Sequence, residues 1–182
     1  MTGPGQNCGM SPAVTLSAPS AADADEFIAA AQASSSLQHP WVSAPDSAER
    51  YLAFLSRAAR EDQGSYLIRH AECGALVGYV NINNIVRGAF RSGHLGYAAF
   101  ASHAGRGLMT AGLRAVVNDA FASLGLHRLE ANIQPDNRPS LRLVQRLGFR
   151  REGFSPRYLM VDGEWRDHER WAVLAEEWAP VS

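Results

Sequence analysis

The sequence predicts one α+β domain, an α/β chain folded around a mixed and mostly antiparallel sheet. Its 182 residues suffice for one ordinary hydrophobic core and are too few for two. Short apolar segments separated by turn residues follow two helical segments, which is typical of an antiparallel meander. The second half alternates between strand-like and helical periods and ends in two strands. We therefore expect six to seven strands flanked by about four helices.

The first half begins with a short strand and two amphipathic helices. Ser20 is placed to cap the first helix, and Pro40 and Pro45 interrupt the chain before the second, leaving Trp41 in a loop. A turn is expected at 71–74, between two strands of the meander. The predicted segments are a strand at 13–17, helices at 21–33 and 47–60, and strands at 66–69, 75–83 and 94–100.

The second half ends in a hairpin. Asp162 and Gly163 indicate it, because this pair favours the tight turn between two antiparallel strands. The predicted segments are a helix at 108–123, a strand at 128–134, a helix at 139–147, and strands at 151–161 and 165–174. Residues 1–12 are rich in glycine and proline and are expected to be a disordered extension, so the domain is assigned to 13–178.

The composition excludes several classes of function. All 17 basic side chains are arginine, and 18 acidic side chains bring the net charge to −1. Without lysine, the chain has no residue for a Schiff base and no lysine for a Walker-type nucleotide loop. The near-neutral charge argues against nucleic-acid and membrane partners. The cysteines and histidines lack the spacing of metal ligands, so no metal is expected.

Targeting signals are not recognisable in the sequence. No apolar run approaches the ~18 residues needed to span a bilayer. The N-terminus lacks the basic start and apolar stretch of a secretory signal. The expected location is therefore the cytoplasm.

A glycine-rich turn, Gly105-Arg106-Gly107, joins a predicted strand to a predicted helix. Glycines let the backbone approach a ligand closely, and the helix that follows points unpaired N–H groups and its positive dipole end at the same place. This arrangement favours a bound anion, most simply a pyrophosphate. A tight turn without any ligand is the alternative.

A second segment, residues 137–149, opens a helix with Asn137 at the N-cap and closes it with Gly148. Taken alone, Asn137 and Ser140 need do no more than satisfy the first turn of that helix.

Together the two segments resemble the general N-acetyltransferase (GNAT) superfamily. There, a Q/R-x-x-G-x-G/A turn binds the pyrophosphate of acetyl-CoA, and an Asn-x-x-Ser…Leu-Gly-Phe helix lines its pantetheine arm. The chain is more closely similar to the RimJ/RimL type, the ribosomal-protein N-terminal acetyltransferases and their relatives. Trp41, Gly96-Tyr97 and the tail segment 162–168 carry this closer resemblance. The first position of the turn motif is Ser102 rather than Gln or Arg, a loss that the backbone amides are expected to tolerate.

The resemblance implies the GNAT fold, in which the fourth and fifth strands, here 94–100 and 128–134, splay apart to hold acetyl-CoA. The helix face formed by Arg138, Arg142 and Arg146 is expected to be a solvated cationic stripe, and the functional alternative is that Arg142 or Arg138 meets the 3′-phosphate. The residues expected to bind acetyl-CoA are Ala99, Phe100, Ala101, His103, Gly105, Arg106, Gly107, Leu108, Met109, Thr110, Asn137, Ser140 and Arg142.

The resemblance also implies direct attack of a neutral amine on the acetyl thioester. Many relatives carry a tyrosine general acid at the position of Val144, so Ser140 is expected to protonate the departing thiolate. Glu130 is the first candidate for the general base and His94 the second. The alternatives are that Glu130 pairs with Arg128 and that His94 is a structural group.

Three further expectations concern the acceptor side. A backbone N–H near 99–101 is expected to stabilise the carbonyl oxygen. Trp41 and Asn132 are expected to contact the acceptor, with simple packing as the alternative for Trp41.

The resulting prediction is an acetyl-CoA-dependent N-acetyltransferase that acts on a protein or peptide N-terminal amine. A small-molecule amine acetyltransferase and a non-catalytic acyl-CoA-binding module are the alternatives. Because relatives often dimerise, a homodimer is also expected.

Overall fold

Seven strands form one mixed sheet. The computed structural model describes residues 13–178, and the predicted extension at 1–12 lies outside the described residues. The strands are β1 Val14–Ser17, β2 Gly64–His70, β3 Leu76–Val86, β4 Ser92–Ala99, β5 Arg128–Ile133, β6 Arg150–Val161 and β7 Glu164–Leu174. Their spatial order is β1-β2-β3-β4-β5-β7-β6, and every neighbouring pair is antiparallel except β4 and β5. The predicted α/β fold class is confirmed.

Five helices flank the sheet. They are α1 Ala24–Ala33, α2 Ser35–Gln38, α3 Ala48–Ala58, α4 Leu108–Ala122 and α5 Arg138–Arg146. Four of them correspond to the predicted helices. The short helix α2 was not predicted, and its serines are a physical reason, because serines compete with the helical backbone for hydrogen bonds. Here the Ser34 hydroxyl satisfies that tendency by donating to the carbonyl of Ala30 at 2.6 Å, and the chain turns directly into α2.

The helices bury both faces of the sheet. On one face, α1 and α3 contribute Phe27 and Phe54 to an aromatic cluster with Tyr79 of β3. On the other face, α4 and α5 contribute Val116 and Val144 to the larger apolar core. Since α1 and α3 cover only the β1–β4 half of their face, the remainder of that face is left open above β5 and β7.

The sheet parts between β4 and β5. Their parallel pairing runs from Ser92↔Arg128 to Leu95↔Ala131 and then stops, so Gly96–Ala99 have no partner on β5. The carboxyl ends of parallel strands lie at the same edge of a sheet. Helices α4 and α5 therefore both begin beside the gap, and the predicted splay is confirmed.

The last two strands form a long hairpin. Asp162 and Gly163 both have positive φ values, 49° and 80°, as a type I′ turn requires, and the predicted hairpin is confirmed. The register of β6 shifts between Ser155 and Leu159, where Arg157 has a φ of 48° and its N–H donates to Asp167 Oδ1 at 2.7 Å. This irregularity bends β6 over the open face of the sheet.

Within residues 13–178, no helix is long and apolar enough to cross a membrane.

Candidate active site

Two cavities meet at the gap between β4 and β5. One of about 480 Å³ lies against the glycine turn, and we call it the turn cavity. The other, of about 420 Å³, lies on the open face of the sheet, and we call it the sheet cavity. The residues that line both cavities are Trp41, Val42, Tyr97, Asn137 and Ser140. These shared residues mark the passage from one cavity to the other.

The turn cavity collects most of the predicted acetyl-CoA residues. Gly105 and Gly107 have left-handed φ values of 77° and 78°, and Gly107 is the N-cap of α4. Because glycine adopts this conformation without a steric penalty, the turn can direct the first N–H groups of α4 outward. The predicted residues that line the cavity are Ala99, His103, Gly105, Gly107, Met109, Thr110, Asn137, Ser140 and Arg142.

Four of the predicted residues do not line the turn cavity. The side chains of Phe100 and Leu108 are buried in the two apolar clusters, on opposite faces of the sheet. The N–H of Ala101 donates to Ser34 Oγ at 2.8 Å, and the side chain of Arg106 is exposed at the turn. The motif run was assigned as a block, whereas neighbouring residues on an extended chain point in opposite directions.

The end of β4 directs backbone N–H groups into the gap. Phe100 N–H donates to the carbonyl of Val77 on β3 at 2.8 Å. Because successive N–H groups of a strand point to opposite sides, that of Ala99 points away from β3, toward the stretch where β5 has parted. The donor expected near 99–101 is therefore Ala99.

The loop that carries Trp41 is tied across the gap. Gln38 Nε2 donates to the carbonyl of Ala99 on β4 at 3.1 Å. Gln134, directly after β5, donates from Nε2 to the carbonyl of Pro40 at 3.4 Å. Both amide side chains are buried, and they hold Trp41 against both cavities. Gln38 lies on helix α2, which was not predicted, and Gln38 was therefore not among the predicted site residues.

At the passage, two hydroxyl groups face each other. Tyr97 Oη and Ser140 Oγ are 2.6 Å apart, and the N–H of Ser140 donates to the N-cap oxygen of Asn137 at 3.2 Å. Burial raises the pKa of Tyr97 to about 12, against the smaller opposing effect of its hydrogen bond to Ser140. Both hydroxyl groups thus keep their protons at neutral pH. One of the two protons forms the hydrogen bond between them, and the other can be donated to a third atom. Val144 is fully buried in the core and lines neither cavity.

Tyr97 was noted only as a mark of family resemblance, and its chemistry was missed. The feature of the sequence that could have indicated a role for Tyr97 is its position near the end of a strand that runs into the glycine turn. Its contact with Ser140, 43 residues away in the chain, is formed only by the tertiary fold.

His94, the second candidate base, and Asn132, expected to contact the acceptor, both line the sheet cavity. Asn132 Nδ2 lies 3.4 Å from His94 Nδ1. Asn132 Oδ1 is buried and has no hydrogen-bond partner within residues 13–178.

Glu130 does not line either cavity. Its Oε1 accepts from Arg128 Nε at 2.8 Å, and its Oε2 lies 3.8 Å from His94 Nδ1. Arg128 also pairs with Glu152, and these carboxylates hold the pKa of the Arg128 guanidinium above its usual range. Pairing with Arg128 was the alternative foreseen for Glu130, and the geometry agrees with that alternative.

His168 and Tyr158 also line the sheet cavity and were not among the predicted site residues. His168 is only 3% exposed, and its ring lies 6.1 Å from the ring of Tyr158. Burial lowers the pKa of His168, with smaller opposing effects from the Arg166 carbonyl and the Asp167 carboxylate. Burial therefore favours the neutral form of the imidazole.

The two cavities differ in charge. The turn cavity is lined by Arg142, Arg146 and His103. No Asp, Glu or Arg within residues 13–178 lines the sheet cavity, whose basic side chains are His94 and His168. One cavity therefore suits an anion, and the other suits a group of low charge.

The family follows from a comparison with known proteins. A family model described as "Acetyltransferase (GNAT) domain" matches residues 13–150. The chain belongs to the GNAT acetyltransferase family. A "Probable N-acetyltransferase YjcK" from Bacillus subtilis (strain 168) is 34% identical over 126 residues, which span 69% of this chain and 70% of the relative.

Two further similarities concern ribosomal-protein acetyltransferases. The "[Ribosomal protein uS5]-alanine N-acetyltransferase" of Escherichia coli (strain K12) is 39% identical over 105 residues, 58% of this chain. That match spans only about half, 54%, of the relative's own length. The structure titled "Mycobacterium smegmatis RimJ in complex with CoA-disulfide" aligns with a TM-score of 0.83 and 32% identity, covering 93% of this chain and 85% of that one.

The glycine turn gives a binding prediction. Gly107→Val should abolish the stabilisation of the fold by acetyl-CoA, because a β-branched residue is strained at a φ of 78° and would shift the first N–H groups of α4. In the unchanged protein, ligand at ~100 times its dissociation constant should add about 2.7 kcal/mol to the free energy of unfolding. Thermal melting with and without acetyl-CoA measures both effects.

Gly88→Val is the matched control. Gly88 has a φ of 69° in the β3–β4 turn and, like Gly107, has no atom within 4 Å of an added Cβ. This variant should be destabilised by similar backbone strain but keep the ligand-dependent rise in melting temperature. An unchanged rise in the Gly107 variant would contradict the assignment of the turn.

Proposed function

We propose that this protein is an acetyl-CoA-dependent N-acetyltransferase that acetylates the N-terminal α-amine of a peptide or protein. The observation that carries the proposal is the junction, at the Tyr97–Ser140 pair, of a cationic cavity and a cavity that no Asp, Glu or Arg of residues 13–178 lines. Such a junction lets an anionic cosubstrate present its reactive end to an amine that approaches from the other side.

The turn cavity fits the phosphates and the pantetheine arm of acetyl-CoA. The glycine turn and the N-terminus of α4 offer N–H groups to the pyrophosphate. Arg142 and Arg146 on α5 supply positive charge for the remaining phosphate. The thioester of the cosubstrate supplies the acetyl group.

The passage supplies the groups that the transfer needs. The amine nitrogen forms a bond to the acetyl carbon, and the carbon–sulfur bond breaks. Ala99 N–H donates to the carbonyl oxygen as charge develops there. The hydroxyl pair of Tyr97 and Ser140 donates a proton to the departing sulfur, which replaces the tyrosine that relatives carry at the position of Val144. This supply of a proton donor argues against the non-catalytic binding module.

The charge of the sheet cavity favours an α-amine. A polyamine or an aminoglycoside carries several positive charges and needs carboxylates, yet none lines this cavity within the described 13–178. An α-amine has a pKa of ~8, against ~10.4 for a lysine side chain, so a fair fraction of it is already neutral at physiological pH. The name of the Escherichia coli relative, an alanine N-acetyltransferase of a ribosomal protein, supports the same acceptor class.

A panel of acceptors tests the proposal. Coenzyme A release and product mass are measured with a peptide that begins with alanine, the same peptide blocked at its N-terminus but containing a lysine, and spermidine. Acetylation of the unblocked peptide alone is expected. Turnover of spermidine in preference to the peptide would move the function to small-molecule acetylation, and release of no coenzyme A with any amine would favour a binding module.

Removal of one hydroxyl at the passage should slow the chemical step. Ser140→Ala and Tyr97→Phe should each lower kcat by ~10²-fold, because the proton relay to sulfur is broken, while KM for acetyl-CoA changes less. Steady-state kinetics with the unblocked peptide measures both constants.

Ser56→Ala on the exposed side of α3 and Tyr66→Phe, whose hydroxyl bonds Asp119 at 2.7 Å outside both cavities, are the matched controls. They should leave kcat within about two-fold. Unchanged kcat in both passage variants would assign the proton to solvent.

A further inference from the structure

We infer that His168 is a further catalytic residue, whose Nε2 accepts the proton that the acceptor amine loses. The inference rests on the proposed N-acetyltransferase function and assigns the base for that reaction. Glu130 was the first candidate at the level of sequence, but the structure holds Glu130 outside both cavities. Four observations on the ring of His168 and its surroundings support the new assignment.

The tautomer of His168 is set by its own strand. His168 Nδ1 lies 2.9 Å from the carbonyl oxygen of Arg166. A carbonyl oxygen only accepts hydrogen bonds, so Nδ1 must carry the proton. The neutral ring then has its lone pair on Nε2, and the ring lines the sheet cavity.

The position of His168 across the sheet matches that of the passage. Glu169 of β7 pairs with Ile133 of β5, so His168 lies one residue further along, beside Gln134, where the gap is open. Tyr97 lies two residues beyond the last β4–β5 pair, level with Ile133. β5 lies between β4 and β7, and β4 and β5 are no longer paired at this level, so Tyr97 and His168 both border the sheet cavity where the gap opens. An amine bound in that cavity can reach the ring of His168 directly or through one water.

The surroundings keep the imidazole unprotonated. Burial lowers the pKa of His168, so its ring is ready to accept a proton at neutral pH. The charged or titratable groups around it are Arg166, Asp167, Glu169 and Arg170 on β7, Tyr158 on β6, and His94 across the cavity. Asp167 accepts from the N–H of Arg157, and Glu169 accepts from the indole of Trp171 and pairs with Arg151. Glu169 is thus paired with Arg151, whereas the charge of Asp167 opposes the effect of burial on the pKa of His168 and is the smaller of the two effects. Gln134 of β5 is uncharged.

The other two candidate bases, Glu130 and His94, are held by contacts with other side chains. Glu130 is held by the guanidinium of Arg128, and Nδ1 of His94 faces Asn132 and Glu130. With His168 as the base, each proton has a donor and an acceptor, and the proton gained by Nε2 restores the hydroxyl pair through solvent before the next turnover. As the carbon–nitrogen bond forms, nitrogen becomes acidic and its proton passes to Nε2, while a separate proton passes from the hydroxyl pair to sulfur.

His168→Asn tests the assignment with little change of shape. The amide Nδ2 of asparagine can still donate to the Arg166 carbonyl in place of the ring Nδ1–H, whereas the basic Nε2 is lost. At pH 7, kcat with the alanine peptide should fall by ~10²-fold, with KM for acetyl-CoA and its thermal stabilisation unchanged. His127→Asn is the control, since that ring pairs with Glu176 and lines neither cavity.

The pH dependence separates a base from a structural group. The ratio of wild-type to His168→Asn rate should be largest near pH 7. It should fall above pH ~9, where hydroxide can take the proton as the carbon–nitrogen bond forms, and below the lowered pKa of His168, where the wild-type ring is itself protonated. A ratio that stays constant from pH 6 to 9.5 would overturn the inference. An unchanged rate of His168→Asn at pH 7 would also overturn the inference. If instead the ratio for His94→Asn were largest near pH 7, the base would be His94.

A spectroscopic measurement on the wild-type protein tests the inference even if the variant does not fold. Nitrogen-15 imidazole spectra of the wild-type protein should show His168 as the Nδ1–H tautomer, titrating below the ordinary histidine pKa of ~6.5. The Nε2–H tautomer, or titration above pH 7, would contradict the inference. A wild-type protein that acetylates no amine would instead contradict the proposed function, so the two failures are distinguishable.

Discussion

The separation of β4 from β5 is the constraint on which the rest of the structure depends. Hydrogen bonding between these parallel strands ends at Leu95↔Ala131, and backbone groups beyond that pair face a gap instead of a neighbouring strand. A buried N–H without a partner is costly, so an unpaired strand end is stable only where a ligand or water can satisfy it. The same gap connects the two faces of the sheet, which are otherwise sealed from each other by the β-ladder.

The chemistry is distributed according to that geometry. Arginines of α5 lie on the side of the glycine turn, uncharged and aromatic groups lie on the open sheet face, and two hydroxyls stand between them. Ser140 is held there by the cap of Asn137, so the residue that starts α5 also aligns the proton donor. Histidines on β4 and β7 reach the open face because strand alternation places His94 and His168 on that side.

The sequence predicted the seven strands and the four longer helices because each carries a clear period and a clear end signal. It missed α2, whose serines disfavour a helix until Ser34 is satisfied by Ala30 and Ala101. Individual site residues were harder, since they depend on contacts across the chain. The pairing of Glu130 with Arg128, two residues away on the same strand, was foreseeable, whereas the contact of Tyr97 with Ser140 needed the fold. His168 was expected to have a structural or acceptor-site role and was not placed among the site residues, because only the β5–β7 register brings it beside the gap.

The two buried amides on either side of the gap have a mechanical consequence. Gln38 joins the Trp41 loop to β4, and Gln134 joins the same loop to the end of β5. The loop thus acts as a brace across an opening that has no backbone hydrogen bonds of its own. Any widening of the opening must stretch one of these two bonds or carry the loop with it. Displacements of Trp41 and of the two strand ends are therefore coupled, although the three segments are far apart in the chain.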